Sequence, residues 1–321
     1  MRRRFARRLS TVVPAAMVIV AASVSTAGSA NVELPSAGSP RQIAQLVAAS
    51  TSITQVPRNL IPELASIPSD SVGNTSLRTP DAGCRVVEPD CTFGVRNSRK
   101  LAVLFGDSHA WMWLTALNPV MIRAGVRLQL LWIPSCPVAS LTVIDPTTKS
   151  IFTACDTWRT QTIALIKREN PELVLLAERT SHLYVSPTTL ATDAEIQAGL
   201  STTIERLASP TTRIVVIGDI PAFSSYRSPA SCLSLHSSSV QSCSTPVANS
   251  QPAWADHARA EAAAARGAHV LFINPVPWIC AASSCSPVVG HLATYFDWSH
   301  ISATYGAFVS NMFASKLASH L

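Results

Sequence analysis

Short apolar runs alternate with longer helix-like segments from residue 101 to the end of the chain, and this alternation constrains the fold more than any other feature. Continuous apolar strands between helices are typical of a parallel sheet that helices cover on both faces. We therefore predict an α/β fold, a three-layer α/β/α sandwich whose parallel sheet has about five strands. The predicted strands are Leu101–Phe105, Arg127–Ile133, Leu173–Ala177, Arg213–Ile217 and His269–Ile273.

The segments between these strands, and the segment after the last one, predict helices. The predicted helices are Ala110–Ala124, Asp156–Glu169, Asp193–Ala208, Ala253–Arg266 and Ser302–Ser319. In sheets of this kind, ligands bind beyond the carboxyl ends of the strands. Polar motifs that directly follow a predicted strand are therefore candidates for a functional site.

Residues 1–30 have the three parts of an export signal. A cluster of five arginines precedes the apolar stretch Val12–Ala22, and the small residues Ala27–Ala30 supply a cleavage site. The alternative is an uncleaved signal that anchors the chain, but the apolar stretch is short for a bilayer span and contains Pro14. We expect a cleaved signal peptide and a secreted or extracytoplasmic protein of the cell envelope.

The net charge of +6 arises almost entirely in this signal, which contains five arginines and no acidic residue. The rest of the chain carries 20 basic and 19 acidic residues and is therefore nearly neutral. Nucleic-acid binding requires clustered basic charge, so we expect no nucleic-acid partner.

The eight cysteines agree with an oxidising compartment, where an even number indicates disulfides. Although many pairings are possible, we predict that sequential neighbours pair. Zinc binding is the alternative, but the chain has no Cys-x-x-Cys and its cysteine spacings are uneven, so we expect no metal and no cofactor. The predicted pairs are Cys84 with Cys91, Cys136 with Cys155, Cys232 with Cys243, and Cys280 with Cys285.

The motif Gly106-Asp107-Ser108-His109 lies between the first predicted strand and the first predicted helix. A serine at a helix N-terminus lies where free backbone N–H groups and the helix dipole favour developing negative charge. Gly106 permits a tight turn, and the Ser108 N–H is a candidate oxyanion donor. We count Gly106, Asp107 and His109 as oxyanion or pocket candidates. The structural alternative is that Asp107 or Ser108 only caps the helix.

A second motif, Asp297-Trp298-Ser299-His300, lies just before the C-terminal helix. A serine nucleophile needs a base within hydrogen-bonding distance, and the base needs an acid that orients it. His300 is the candidate base and Asp297 the candidate acid, in the chain order Ser, Asp, His that is known to give this geometry. Asp297 as a cap of the last helix is the alternative.

Together the two motifs resemble the Ser-Gly-Asn-His (SGNH, GDSL-like) hydrolase superfamily. More narrowly, the chain is similar to the extracytoplasmic SGNH domain of bacterial membrane acyltransferases that O-acetylate polysaccharides. The resemblance implies a flavodoxin-like sandwich and an acyl-serine intermediate on a Ser108–His300–Asp297 triad. Further matching segments are Val56–Pro62, Pro134–Pro137, Val215–Pro221, Cys280–Cys285 and Tyr295–Gly306.

The family also implies oxyanion donors from a glycine and an asparagine, and here the chain departs from the pattern. The segment Leu176–His182, which follows the third predicted strand, contains no asparagine, and Arg179 is a candidate for the electrostatics of the pocket. No apolar stretch after residue 30 is long enough for a membrane span, so we expect the chain to lack the membrane acyltransferase part.

We therefore predict three regions. They are a signal peptide at 1–30, a Pro- and Ser-rich arm or SGNH extension at 31–98, and an SGNH catalytic domain at 99–321. The expected activity is that of an exported serine esterase or O-acyltransferase acting on O-acyl, above all O-acetyl, esters of cell-envelope carbohydrate. The expected partners are an acylated carbohydrate or small acyl ester and, for a transferase, a membrane acyl-donor protein. The alternative function is a non-catalytic carbohydrate-binding or envelope-assembly module on the same fold.

Overall fold

The computed structural model describes residues 34–223, 228–248 and 257–321. In chain order the strands are β1 (Thr92–Gly94), β2 (Leu101–Gly106), β3 (Arg127–Trp132), β4 (Leu173–Ala177), β5 (Tyr184–Ser186), β6 (Thr189–Leu190), β7 (Arg213–Ile217), β8 (Thr245–Pro246), β9 (Leu271–Ile273), β10 (Ser284–Cys285), β11 (Val288–Val289) and β12 (Leu292–Ala293). The α-helices are α1 (Pro40–Ser50), α2 (Ser108–Met112), α3 (Leu114–Ala124), α4 (Thr153–Glu169), α5 (Asp193–Leu207), α6 (Pro229–Leu235), α7 (Ala258–Gly267), α8 (Ala303–Phe308) and α9 (Ser310–Leu317). Short 3-10 helices cover Leu64–Ser69, Val72–Asn74, Pro89–Cys91, Val240–Cys243 and Val276–Trp278.

The central sheet has six strands in the order β1-β3-β2-β4-β7-β9. Five neighbouring strands of this sheet are parallel to one another, namely β3, β2, β4, β7 and β9. Phe105 of β2 lies opposite Leu131 of β3 and Leu176 of β4. The predicted α/β fold with a mostly parallel sheet is therefore confirmed. The sixth strand, β1, was not predicted. It pairs antiparallel with β3, and its three residues are too few to show a strand pattern in the sequence.

Helices flank both faces of the sheet because successive strand residues point to opposite sides. On one face, Leu104 of β2 belongs to a core that includes Ile43 of α1 and Phe313 of α9. On the other face, Phe105 belongs to a core with Ile163 of α4 and Leu200 of α5. Parallel strands that are buried on both faces require this continuous apolar composition.

Two helical segments that the sequence predicts as continuous are each divided at one residue. The first begins at Ser108 and breaks at Trp113, between α2 and α3, and the last breaks at Val309, between α8 and α9. Because each break is a single residue with near-helical backbone angles, the apolar periodicity continues across it. The predicted helix Ala253–Arg266 begins among residues that the structure does not describe, and α7 is observed from Ala258.

The chain before the sheet packs on the same core. Helix α1 begins after Ser39, whose side chain accepts a hydrogen bond from the Gln42 N–H, and it buries Ile43 and Val47. The predicted signal peptide at residues 1–30 lies outside the described residues. Within the described ranges, no helix is both long and apolar enough to cross a bilayer.

All eight cysteines form disulfides, and each joins sequential neighbours as predicted. The bonds are Cys84–Cys91, Cys136–Cys155, Cys232–Cys243 and Cys280–Cys285. Cys136 follows β3 and Cys155 lies in α4, so their bond ties the segment after β3 to the helix that follows it.

Candidate active site

Ser108 is the first residue of α2, directly beyond the carboxyl end of β2. The turn requires glycine at position 106, since a Cβ there would lie 1.8 Å from the Ala177 carbonyl oxygen and 2.7 Å from the Ala110 Cβ. At the first position of a helix, the Ser108 N–H has no intrahelical acceptor and can face a ligand. Gly106 itself remains within the sheet, opposite Trp132 and Ala177, so its part is to allow close packing.

The three predicted triad residues form a continuous chain of hydrogen bonds. The Nε2 atom of His300 lies 2.8 Å from the Ser108 Oγ, and its Nδ1 atom lies 2.7 Å from the Asp297 Oδ2. Since 192 residues separate Ser108 from His300, only the fold brings these two groups together. The distances are those that a serine nucleophile, its base and an orienting acid require.

The other carboxylate oxygen of Asp297 is held by its own turn. Oδ1 accepts hydrogen bonds of 2.8 Å from the backbone N–H groups of Ser299 and His300. Burial by itself raises the pKa of Asp297, but hydrogen bonding to His300 and to these N–H groups outweighs burial, so its pKa lies below the usual 3.8. Asp297 is therefore ionised at neutral pH. The Phe296 ring stacks on the imidazole of His300, the candidate base, at 5.5 Å between centroids.

Asp107 serves as a structural link between two turns. Its Oδ1 accepts the His109 N–H at 2.8 Å, and its Oδ2 accepts the Arg179 N–H at 3.0 Å. The backbone N–H groups of His109 and Arg179 are therefore already occupied. Of the predicted oxyanion candidates, this leaves the Ser108 N–H and the Arg179 side chain as donors that could face a substrate.

A second histidine–aspartate pair lies behind the triad, and sequence analysis did not find it. The His109 Nδ1 lies 2.7 Å from Asp219 Oδ1, and both side chains are buried. Asp219 Oδ2 accepts hydrogen bonds from the Thr180 backbone N–H at 2.7 Å and from the Thr180 hydroxyl at 2.9 Å. The His109 and His300 rings meet edge to face at 5.0 Å. A recognisable signal existed, because Gly218-Asp219 after β7 repeats the Gly106-Asp107 pattern after β2.

Glu178 is the first residue beyond β4 and is fully buried below these turns. Its Oε2 accepts the Ala139 N–H at 2.8 Å, whereas Oε1 has no hydrogen-bond partner among the residues that the structure describes. Burial, reinforced by the nearby Asp107 carboxylate, raises the pKa of Glu178 to about 8. Glu178 is therefore a neutral carboxylic acid at pH 7.

A cavity of about 750 Å³ opens beside the triad. We call it the Trp298 cavity; it is lined by Ser135, Ile144, Pro146, Lys149, Arg179, His182, Leu183, Tyr184, Pro187 and Trp298. Two of its lining residues are connected directly to the segments that contain the triad residues. Trp298 lies between Asp297 and His300 in the chain, and the backbone of Arg179 is bonded to the neighbour of Ser108.

Three possible metal donors, Cys84, Glu88 and Cys91, lie within 4.8 Å of one another in the described part of the chain. The two sulfur atoms are joined in a disulfide and are not thiolate ligands. This cluster therefore does not suit a metal ion.

Ser108, His300 and Asp297 are thus in hydrogen-bond contact at the carboxyl edge of a mostly parallel, helix-flanked sheet, an arrangement that occurs in acyl-active α/β domains of several families. The chain belongs to the SGNH domain family whose members are described as fused to AT3 domains, and the match covers residues 76–315. The chain is thus an SGNH hydrolase- or acyltransferase-like domain.

Two solved structures are similar to the chain, and the first of them, with a TM-score above 0.5, shares its fold. The periplasmic domain of a lipopolysaccharide acetyltransferase from Salmonella ser. Paratyphi A matches with a TM-score of 0.57 and 20% identity, over 80% of this chain and 98% of that one. A GDSL-like lipase from Bacteroides thetaiotaomicron matches with a TM-score of 0.41 and 9% identity, over 70% of this chain and 90% of that one. No curated protein matches the chain with significant sequence similarity.

Proposed function

We propose that the chain is an exported, serine-dependent acyl-transfer enzyme that makes or cleaves O-acyl esters, above all O-acetyl esters, of cell-envelope carbohydrate. The observation that carries this proposal is the hydrogen-bond chain from Ser108 Oγ through His300 to Asp297, with distances of 2.8 and 2.7 Å. An ionised Asp297 beside His300 supports a role for the imidazole as a base, because the carboxylate stabilises the imidazolium that proton transfer creates.

In the proposed reaction, Ser108 Oγ attacks the acyl carbonyl carbon while its proton passes to His300 Nε2. The tetrahedral intermediate collapses with cleavage of the ester C–O bond, and His300 gives its proton to the departing alkoxide oxygen. This leaves an acyl-serine. Water or a sugar hydroxyl then attacks the acyl-serine, His300 takes the proton of the attacking group, and Ser108 recovers a proton as the product leaves.

The negative charge that develops on the carbonyl oxygen requires donors held ready for it. We propose the Ser108 N–H at the start of α2 as the first donor, supported by the helix dipole. We propose the Arg179 guanidinium as a second source of positive potential, because it lines the cavity next to the triad and its backbone is held by Asp107.

The proposed organisation is a signal peptide at 1–30, an arm at 31–98 and a catalytic domain at 99–321, with the arm packed on the domain's core through α1 and adding β1 to its sheet. Four disulfides support an extracytoplasmic location, where such bonds form and persist. The similarity to a lipopolysaccharide acetyltransferase domain supports a carbohydrate substrate. For a transferase, a membrane protein would supply the acyl group.

The test uses a small activated ester, 4-nitrophenyl acetate, and a fluorophosphonate probe on the exported protein, with the adduct mapped by mass spectrometry. We expect ester turnover and labelling at Ser108, and loss of both in Ser108→Ala. Ser319→Ala removes an exposed hydroxyl near the C-terminus and serves as the matched control, which should retain both.

Unchanged turnover in Ser108→Ala would refute the proposal. If the folded protein with its four disulfides shows neither label nor turnover, the non-catalytic binding module is the better description of the chain.

A further inference from the structure

The Trp298 cavity has the size of a small-molecule site and stable walls. Its volume of about 750 Å³ falls within the range in which ligand pockets occur. The Arg159 guanidinium donates hydrogen bonds to the carbonyl oxygens of Pro137 at 2.9 Å and Leu141 at 3.0 Å, and so holds the segment that joins the lining residues Ser135 and Ile144. The same segment is bonded to the β5–β6 hairpin, where the Ile144 N–H donates to the Tyr184 carbonyl oxygen at 2.8 Å. A cavity with pre-organised walls binds ligands at a low entropic cost.

The charged groups of this cavity are all positive. Arg179 and Lys149 line it, and no aspartate or glutamate is among its lining residues. Neither cation forms a salt bridge within the described ranges of the chain. Burial, together with the charge of Arg179, lowers the pKa of His182 to about 4, so His182 is neutral at pH 7. Among the described residues, the cavity therefore presents two cations that form no salt bridge with a carboxylate.

Aromatic surface lies next to these cations. The Arg179 Cζ lies 5.3 Å from the centroid of the Trp298 ring, and the His182 ring meets Trp298 edge to face at 5.5 Å. Tyr184 lines the same cavity from the hairpin. Aromatic rings pack well against the C–H faces of pyranose rings, and they leave the polar edges of the sugar free to bond with charged groups.

We propose that the Trp298 cavity binds a sugar unit that carries an acidic group, a carboxylate or a phosphate, with Arg179 and Lys149 pairing with the acid and Trp298 supporting the ring. This inference rests on the proposed function, because the bound unit would hold the ester of the same glycan chain at Ser108. It extends that function by assigning an acidic glycan as the substrate class. Guanidinium groups pair with both carboxylates and phosphates through parallel hydrogen bonds.

The experiment measures binding to the full exported protein carrying Ser108→Ala, so that no turnover is needed. Isothermal titration calorimetry compares a β-1,4-linked glucuronate tetrasaccharide with cellotetraose, which has the same backbone with a hydroxymethyl group in place of each carboxylate. We expect about tenfold tighter binding of the acidic oligosaccharide, falling as salt is added. Cellotetraose phosphorylated at O6 shows whether a phosphate or a carboxylate is preferred.

Arg179→Gln and Lys149→Gln should each reduce the preference for the acidic ligand over cellotetraose. Lys167→Gln is the matched control. Lys167 lies in the last turn of α4, which precedes the amino end of β4, whereas Arg179 of the cavity follows the carboxyl end of the same strand. It removes the same charge and should leave the preference intact.

Equal binding of the acidic and neutral oligosaccharides, binding of neither, or a preference that survives both cavity substitutions would overturn the inference. The fluorophosphonate labelling of Ser108 is measured in the unmodified protein, independently of these binding experiments. A failure of the cavity proposal is thereby distinguished from a failure of the triad proposal.

Discussion

Asp107 accepts a hydrogen bond of 3.0 Å from the Arg179 backbone N–H, and this bond joins the turn after β2 to the turn after β4. Asp107, which precedes the candidate nucleophile Ser108, thereby holds the backbone of Arg179, whose side chain lines the Trp298 cavity. Asp219 secures the same turn at the next residue through two bonds to Thr180. The relative position of Ser108 and Arg179 therefore depends on two buried carboxylates that need not touch a substrate.

Two different substitutions of Asp107 distinguish the contributions of its two hydrogen bonds to stability. Asp107→Ala removes the helix cap and leaves the Arg179 N–H unsatisfied, and we expect it to lower the free energy of unfolding by about 1–3 kcal/mol. In Asp107→Asn, the amide oxygen can still accept the His109 N–H, but the NH2 group faces the Arg179 N–H. Urea unfolding should rank the asparagine variant between the parent and the alanine variant. Equal stability of all three proteins would contradict the linking role.

The proposed triad predicts a large effect at Asp297. An asparagine there cannot stabilise the imidazolium of His300, so Asp297→Asn should reduce kcat for ester turnover by roughly 10³- to 10⁴-fold. Asp90→Asn, at an exposed position, is the control. A reduction of less than tenfold in Asp297→Asn would mean that Asp297 does not orient the base.

The same aspartate contributes to acid stability. Its pKa is depressed in the folded protein, so its contribution is fully present above the ordinary value of 3.8 and is lost as the pH falls through the folded pKa. In Asp297→Asn the loss of stability on acidification below pH 3.8 should therefore be smaller than in the parent protein. Thermal unfolding measured between pH 2 and 5 tests this.

Gly106 is predicted to tolerate no side chain. Its missing Cβ would lie 1.8 Å from the Ala177 carbonyl oxygen, which belongs to β4 and cannot move without disturbing the sheet. We expect Gly106→Ala to destabilise the protein by about 3 kcal/mol or more. Gly267→Ala is the matched control at the end of α7, where a Cβ meets nothing within 4 Å, and it should keep or slightly raise the melting temperature.

The buried Glu178 is expected to make stability depend on pH in the opposite sense to Asp297, because folding raises its pKa. Because its pKa rises to about 8 on folding, the folded state holds a proton that the unfolded state has already released between the ordinary value of 4.5 and about 8. Stability should therefore fall as the pH rises through this interval, by up to about 1.4 kcal/mol per pH unit. Glu178→Gln should flatten this fall, whereas the exposed Glu205→Gln should not. An unchanged slope in Glu178→Gln would show that Glu178 keeps its ordinary pKa.

Local patterns in the sequence predicted the parallel strands and the adjacent-cysteine disulfides. The strand Leu173–Ala177 is an example, since its continuous apolar run reflects burial on both faces. The strand β1 escaped prediction because Thr92–Gly94 becomes a strand only by pairing with β3. The breaks at Trp113 and Val309 also escaped, since each interrupts a helix without interrupting its apolar periodicity.

At the site, the sequence by itself determined which residue types were available and that Ser108 follows a strand. It also determined that Asp297 lies close enough to His300 to bind it within one turn. Only the tertiary structure decided that His300 reaches Ser108, that Asp219 supports His109, and that Arg179 and Lys149 share a cavity with Trp298. The physical reason is range: hydrogen bonds and apolar periodicity within one element are encoded by neighbouring residues, whereas contacts between strand ends depend on the register and order of the whole sheet.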